Sequence, residues 1–399
     1  MSMTFTKPNG KRRVVVTGAG MLTALGRTWD QAYDALRERK NLVRCMEGWE
    51  MYKTMNTRLA CPYDGELPKF PRKKIRGMGR VGLLSLVATD DALRMAGFVD
   101  EEGNIDSVIS SGRTGIAYGS CMGSMEALVD MCSMIDRGDT SKIDSQTYIK
   151  CMPQTCAANL SIFYQVRGRV IVTDTACTSA SQAIGYAYEA IEDGRQDVMI
   201  AGGADELSAA DLAIFDVMGA ASTMNSTPEL TPKAWDKDRD GLVIGEGSGT
   251  LILEDMEHAV NRGAKIYAEV AGFGTNMDGT HITNPNPETQ AIALNMALLD
   301  AGISPDEIGY ATTELVPLRP KEDEINKYFL AHLLRSDIFV AYANAIATGT
   351  KMPRMPMNSL RSFECILPPM DMQMKFVAIA DQADKSKFNE VQIPIYRDV

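Results

Sequence analysis

The chain has 399 residues, 45% of them hydrophobic and 23% charged, with a net charge of −11. That length allows two domains or one double-sized one. No run of about 18 apolar residues exists, which excludes a membrane-spanning helix, and the acidic balance argues against nucleic-acid binding, which wants a basic surface. The eight cysteines form no CxxC pair and meet no histidine cluster. They read as reduced thiols of a cytoplasmic protein without a metal site. The N-terminus, MSMTFTKPNGKRR, lacks the apolar core of a signal peptide.

Taken in order, Val14, Val15 and Val16 predict a short buried strand, and Gly18 and Gly20 a tight turn after it. A dinucleotide fingerprint fails, because Thr23 stands where its third glycine belongs. A helix is expected over 28–38, with Trp29, Tyr33 and Leu36 on one face. Residues 69–80, KFPRKKIRGMGR, gather Lys69, Arg72, Lys73, Lys74, Arg76 and Arg80. This is either a solvated helix start or a docking site for an acidic partner. A helix over 83–96, a strand over 114–120 and a Met-rich helix over 121–136 follow. The methionines suit core or subunit-interface packing.

The next stretch, RVIVTDTACTSASQAIGYAYEAI, opens with Val170, Ile171 and Val172, which read as a buried strand. From Ala180 the apolar residues Ile184, Ala187 and Ile191 recur at helical spacing, and Gly194 ends the helix. Cys177 falls at the join. A helix N-terminus favours a thiolate, and its N–H groups suit an oxyanion formed when the thiolate attacks a thioester carbonyl. The alternative is a small buried cysteine with no chemistry. Further on, strands are expected over 197–205 and 249–254, with an irregular loop over 213–228 between them. Asp236, Asp238, Asp240 and Glu246 lack the spacing of a calcium loop. A strand within 265–274, a helix over 289–301, a strand over 308–315, a helix around His332 and a closing pair of strands, 372–381 and 390–399, complete the series.

Three segments, TACTSASQAIGYAYEAI, DVMIAGGAD and WDKDRDGLVIGEGSGTLILEDMEHAVNRGAKIYAEV, stand in the order found in the β-ketoacyl synthases. The chain closely resembles this family, the condensing enzymes of fatty-acid and polyketide assembly within the thiolase superfamily. The resemblance implies an α/β, thiolase-like five-layer fold of two duplicated halves with mixed sheets, 11–257 and 258–399. It makes Cys177 the acyl-bearing nucleophile and the acidic DKDRDG segment a structural turn. It assigns Arg72, Lys73, Lys74 and Arg76 to binding acyl carrier protein. Acyl and malonyl thioesters are the implied substrates, with no cofactor and no metal. A homodimer, or a heterodimer with another ketosynthase-like subunit, is the implied assembly.

The resemblance covers residues 12–310 and then weakens. The family uses two histidines, in motifs like VNAHGT and KSxxGH, to draw CO₂ from the malonyl group. Aligned on IGY, Glu314 of IGYATTELV faces the first histidine. In PMNSLRSFECI, Arg361 replaces the lysine and Ile366 the second histidine. His258 and His281 match non-catalytic family positions, and His332 reads as structural. The glycine-rich loop that donates an oxyanion N–H has no counterpart in AIADQADKSKFNE. Losing one such donor costs roughly 10²–10³ in rate, and a carboxylate at 314 repels a malonyl carboxylate. Two other readings follow: a Cys-dependent acyltransferase or thioesterase with Glu314 as general base, and a partner subunit without condensing activity.

Overall fold

Strand residues that alternate between two apolar faces make a sheet that helices must cover on both sides. In the computed structural model, Ile116, Tyr118, Val198, Ile200 and Ile252 point to one core, while Ala117, Met199, Ala201 and Leu253 point to another. The structure describes residues 4–280, 284–304, 324–336, 338–339, 341–342 and 367–390. The chain divides into two units, Met1–Ala234 with Arg239–Glu307, and Trp235–Asp238 with Ile308–Val399.

The first unit is built on β1 (Val14–Thr23), β2 (Arg44–Cys45), β3 (Leu59–Cys61), β4 (Thr114–Gly119), β5 (Val170–Thr173), β6 (Val198–Asp205), β7 (Ile244–Gly245), β8 (Gly247–Asp255) and β9 (Ala268–Val270). Six of these form a mixed sheet in the order β5-β4-β6-β8-β1-β9, and β2-β3-β7 form a small second sheet. The β5-β4-β6 edge is parallel, whereas β6-β8, β8-β1 and β1-β9 are antiparallel. Its helices are α1 (Trp29–Arg37), α2 (Arg72–Ile75), α3 (Arg80–Met95), α4 (Met125–Arg137), α5 (Thr147–Cys151), α6 (Thr155–Tyr164), α7 (Ser179–Glu192), α8 (Ala209–Val217), α9 (Met256–Asn261) and α10 (Pro287–Ala301). Helices α3 and α6 cover one sheet face through Leu84, Leu86 and Leu160, and α7 covers the other through Ala183, Ala187 and Ile191. The second unit contributes α11 (Lys327–Arg335) and α12 (Met370–Glu390). There Phe329 packs edge-on against Phe376, with ring centroids 5.6 Å apart.

Several expectations are corrected. Gly18 and Gly20 make no turn, since β1 continues through them, with a shift in its register against β8 between Val16 and Gly18. Their missing side chains let α3 approach: a Cβ would stand 2.2 Å from the Ala92 carbonyl oxygen at Gly18 and 2.0 Å from that of Ala88 at Gly20. Val170 and Val172 are exposed, because β5 is the edge of the sheet. Helix α1 stands where expected; its Trp29, Tyr33 and Leu36 face points outward, and Ala32 and Ala35 supply its buried side. Part of the expected loop over 213–228 is helix α8, capped by the Ser208 hydroxyl, which accepts from the Asp211 N–H at 3.2 Å. The expected strand over 372–381 lies in helix α12. The expected strand over 308–315 lies outside the described residues, and that over 390–399 does so beyond Glu390, which ends α12.

Candidate active site

The join between β5 and α7 is a tight elbow. Ala176 has φ +52°, a left-handed conformation that is uncommon for a residue with a Cβ. Side-chain hydrogen bonds hold it there. The Ser179 hydroxyl donates to the Ala176 carbonyl at 2.7 Å and accepts from the Thr175 N–H at 2.9 Å. The Thr173 hydroxyl donates back to the Ser179 carbonyl at 2.8 Å, and that of Thr178 to the Thr175 carbonyl at 2.8 Å. Two glycines let the elbow sit down on the sheet. A Cβ on Gly119 would stand 2.7 Å from the Ser179 backbone, and one on Gly203 2.6 Å from the Ala180 Cβ. The result lifts Cys177 clear: it is exposed, so the reading of a small buried cysteine fails.

Beside the elbow, two residues past the end of β4, stands a second cysteine, Cys121, that sequence reasoning passed over. The Cys121 N–H donates to Asp205 Oδ1 at 2.8 Å. Burial, then the charges of Asp205, Cys177, Asp174 and Asp211, push the Cys121 thiol up to about 11. Burial likewise raises Asp205, against the bonds it accepts from the Cys121 N–H and the Ser120 hydroxyl. The only available signal was the parallel between two strands, TGIAYGS-C and VIVTDTA-C, each running into a cysteine.

The acidic residues nearby are structural. Half-buried Glu206 ties three segments together, accepting from the Val81 N–H at 2.8 Å, the Ser124 hydroxyl at 2.9 Å and the Met125 N–H at 2.7 Å. Buried Glu246 pairs with the Arg80 Nη2 at 2.6 Å and accepts from the Tyr63 N–H at 3.1 Å. Arg80 is therefore engaged, whereas Arg72, Lys73, Lys74 and Arg76 are exposed on and just after α2. Among the described residues those four form no ion pair; Lys74 Nζ lies 4.9 Å over the Phe163 ring. His258 meets Glu254 Oε1 through Nδ1 at 2.6 Å, and Arg262 grips the same buried carboxylate at 2.7 and 2.8 Å. His332 stands edge-on to Phe376. Glu314, Arg361, Ile366 and His281 lie outside the described residues.

A hollow of about 1110 Å³ runs along β1 and β8 and touches Ala180 and Ile184, on the flank of α7, without including Cys177. Among the described residues no group of histidine, cysteine and carboxylate side chains is placed to hold a metal ion, and no helix is long and apolar enough to cross a membrane.

Comparison with known proteins adds to this geometry. The family model of the beta-ketoacyl synthase N-terminal domain matches residues 11–259, and that of the C-terminal domain matches residues 267–314. A 3-oxoacyl-[acyl-carrier-protein] synthase 2 of Vibrio cholerae is 36% identical over 306 residues, which span 75% of this chain and 72% of that protein. A crystal structure of a beta-ketoacyl synthase from Burkholderia phymatum is similar with a TM-score of 0.72 and 47% identity, covering 75% of this chain and 72% of the other. That match makes the fold thiolase-like. A type II polyketide ketosynthase solved with its acyl-carrier protein is similar with a TM-score of 0.63 and 28% identity, over 75% and 72% of the two chains.

Proposed function

The chain belongs to the β-ketoacyl synthase family, and on that premise we propose that Cys177 takes an acyl group from an acyl carrier protein and condenses it with a malonyl-carrier unit. The observation that carries this is the exposed thiol on a hydrogen-bonded left-handed elbow, where a strand edge meets a helix N-terminus. In the first step the Cys177 thiolate attacks the carrier thioester. The carbonyl oxygen gains the negative charge and is received by backbone N–H groups at the start of α7, and the carrier thiol leaves. In the second step the malonyl group loses CO₂, its carbanion attacks the Cys177 thioester, and the thiolate departs from a 3-oxoacyl product.

Arg72, Lys73, Lys74 and Arg76 are the cations we assign to the carrier. They are exposed and free of ion pairs among the described residues, on a chain whose net charge is −11. The same reading extends to the architecture, with two duplicated halves in five layers, and to assembly. The exposed edge strand β5, with Val170 and Val172 outward, is a surface that a second copy or a ketosynthase-like subunit covers.

A second reading is favoured by one feature of the sequence: Glu314 and Ile366 align with the two histidines of the family. Under it Cys177 is acylated, and Glu314 acts as a base for transfer to another acceptor or to water. Retention of Cys177 speaks against a subunit with no chemistry. Incubation with acyl-carrier thioesters, with and without malonyl-carrier, followed by intact mass and product analysis, separates these. Acylation and a 3-oxoacyl product support condensation. Acylation with hydrolysis or transfer alone supports the second reading, and absence of acylation, matching a Cys177→Ala control, overturns both.

A further inference from the structure

Two thiols leave the same end of the sheet. Strands β4 and β5 are parallel neighbours in a register that ends at Gly119↔Thr173, so the chains beyond these residues emerge side by side. Cys121 follows the first closely and Cys177 the second. The first turn of α7 then folds back over β4, because Gly119 leaves room for Ser179. This sets the Cys177 elbow over the exit of β4. The Cys121 backbone is pinned through its N–H to Asp205 at 2.8 Å, a bond that leaves its side chain unused. Cys177 is near enough for its charge to act on the Cys121 thiol. The other described cysteines lie elsewhere: Cys151 and Cys156 are buried, Cys45 and Cys61 sit in the small sheet, and Cys132 is on α4.

We propose that Cys121 is a resolving thiol for Cys177, closing a reversible disulfide with it when Cys177 is oxidised by a peroxide. The Cys177 thiolate attacks the peroxide O–O bond, giving the sulfenic acid and releasing the alcohol or water. The Cys121 sulfur then attacks the sulfenic sulfur. Its proton and the departing hydroxide form water, and the S–S bond remains. A dithiol reductant returns both thiols. An exposed cysteine without such a neighbour runs on to sulfinic acid, which dithiols do not reverse.

The disulfide rests on the β4–β5 register and the seating of α7 over Gly119, and its effect on acyl loading rests on the function proposed above. The test treats the full chain with hydrogen peroxide, alkylates it without reduction and maps its peptides, with acyl loading from a carrier thioester measured in parallel. The expected result is a Cys121–Cys177 linked peptide that dithiothreitol abolishes, with acyl loading lost on oxidation and regained on reduction. In Cys121→Ser, Cys177 proceeds to sulfinic acid and loading is not regained. The inference is overturned if wild-type Cys177 reaches sulfinic acid while Cys121 alkylates as a free thiol. It is also overturned if Cys177 pairs with a different cysteine. Should the serine variant fail to fold, the wild-type map alone decides. A linked peptide in a protein that, when reduced, never accepts an acyl group upholds the disulfide and overturns the proposed function instead.

Discussion

Ser179 is where the elbow can be tested one atom at a time. Its hydroxyl bridges the Thr175 N–H and the Ala176 carbonyl, on either side of a left-handed residue. Ser179→Ala leaves the Thr175 N–H without that partner on an exposed turn, while the Ala176 carbonyl keeps the Ser179 N–H at 3.0 Å; it costs about 0.5–1.5 kcal/mol and frees Ala176 to relax. We expect a lowered urea midpoint together with slower acylation of Cys177. Cys177→Ala, at an exposed position, abolishes acylation with a stability change within about 0.5 kcal/mol. An unchanged acylation rate in Ser179→Ala would mean that the elbow is not held by its hydroxyl. Asp197 offers a second test. The Arg113 guanidinium, and then Arg12, hold its carboxyl down to about 2 against burial. A folded pKa below the unfolded value of about 3.9 means the stabilisation is present above that value and is lost as pH falls toward 2. Asp197→Asn should lower stability at neutral pH and flatten the decline between those limits, as read by thermal unfolding across pH. At this scale Cys177 was legible, because a β-branched run followed by helical spacing places it at a join. Ala176 was not, since nothing in an alanine announces a positive φ. Its conformation is imposed by Ser179, three residues on.

Close packing between elements accounts for what the sequence reading misjudged. A glycine-rich strand end reads as a turn, yet in β1 the glycines admit the backbone of α3. Two alanine substitutions separate these roles. Gly20→Ala drives a Cβ into the Ala88 carbonyl and should cost at least the 1–3 kcal/mol typical of overpacking. Gly249→Ala, where a Cβ meets nothing within 4 Å, should be neutral or stabilising by up to about 1 kcal/mol. Equal urea midpoints for the two would refute the packing account. The C-terminal error has a different origin. The run KFVAIA is too short for periodicity to separate strand from helix, and its Met, Gln, Lys and Ala neighbours favour helix, which is what α12 adopts. The exposure of β5 was also hidden, since three apolar residues in a row read the same on an edge as in the middle of a sheet. Cys177 therefore hangs from a strand supported on one side only, and the close seating of Gly119 and Gly203 under α7 fixes its position instead.

For the molecule as a whole, charge decides how a carrier would arrive. A chain of net charge −11 repels an acidic partner over most of its surface. The exposed cations Arg72, Lys73, Lys74 and Arg76 are concentrated on one short helix and its end. Such a patch acts mainly on association, and its pull is screened beyond about 8 Å at physiological salt. Reversing charge in Arg72→Glu/Lys73→Glu should therefore lower the rate of Cys177 acylation by a carrier-linked donor, most strongly at low salt. It should also flatten the salt dependence of that rate. Acylation by a small thioester, which carries no acidic protein, should be unchanged, and so should the urea midpoint, because neither side chain is buried or ion-paired among the described residues. Stopped-flow acylation with the two donors across a salt series separates the cases. If both donors slow together, the substitution has disturbed the elbow. If neither slows, the patch is a solvated helix start and the carrier docks elsewhere.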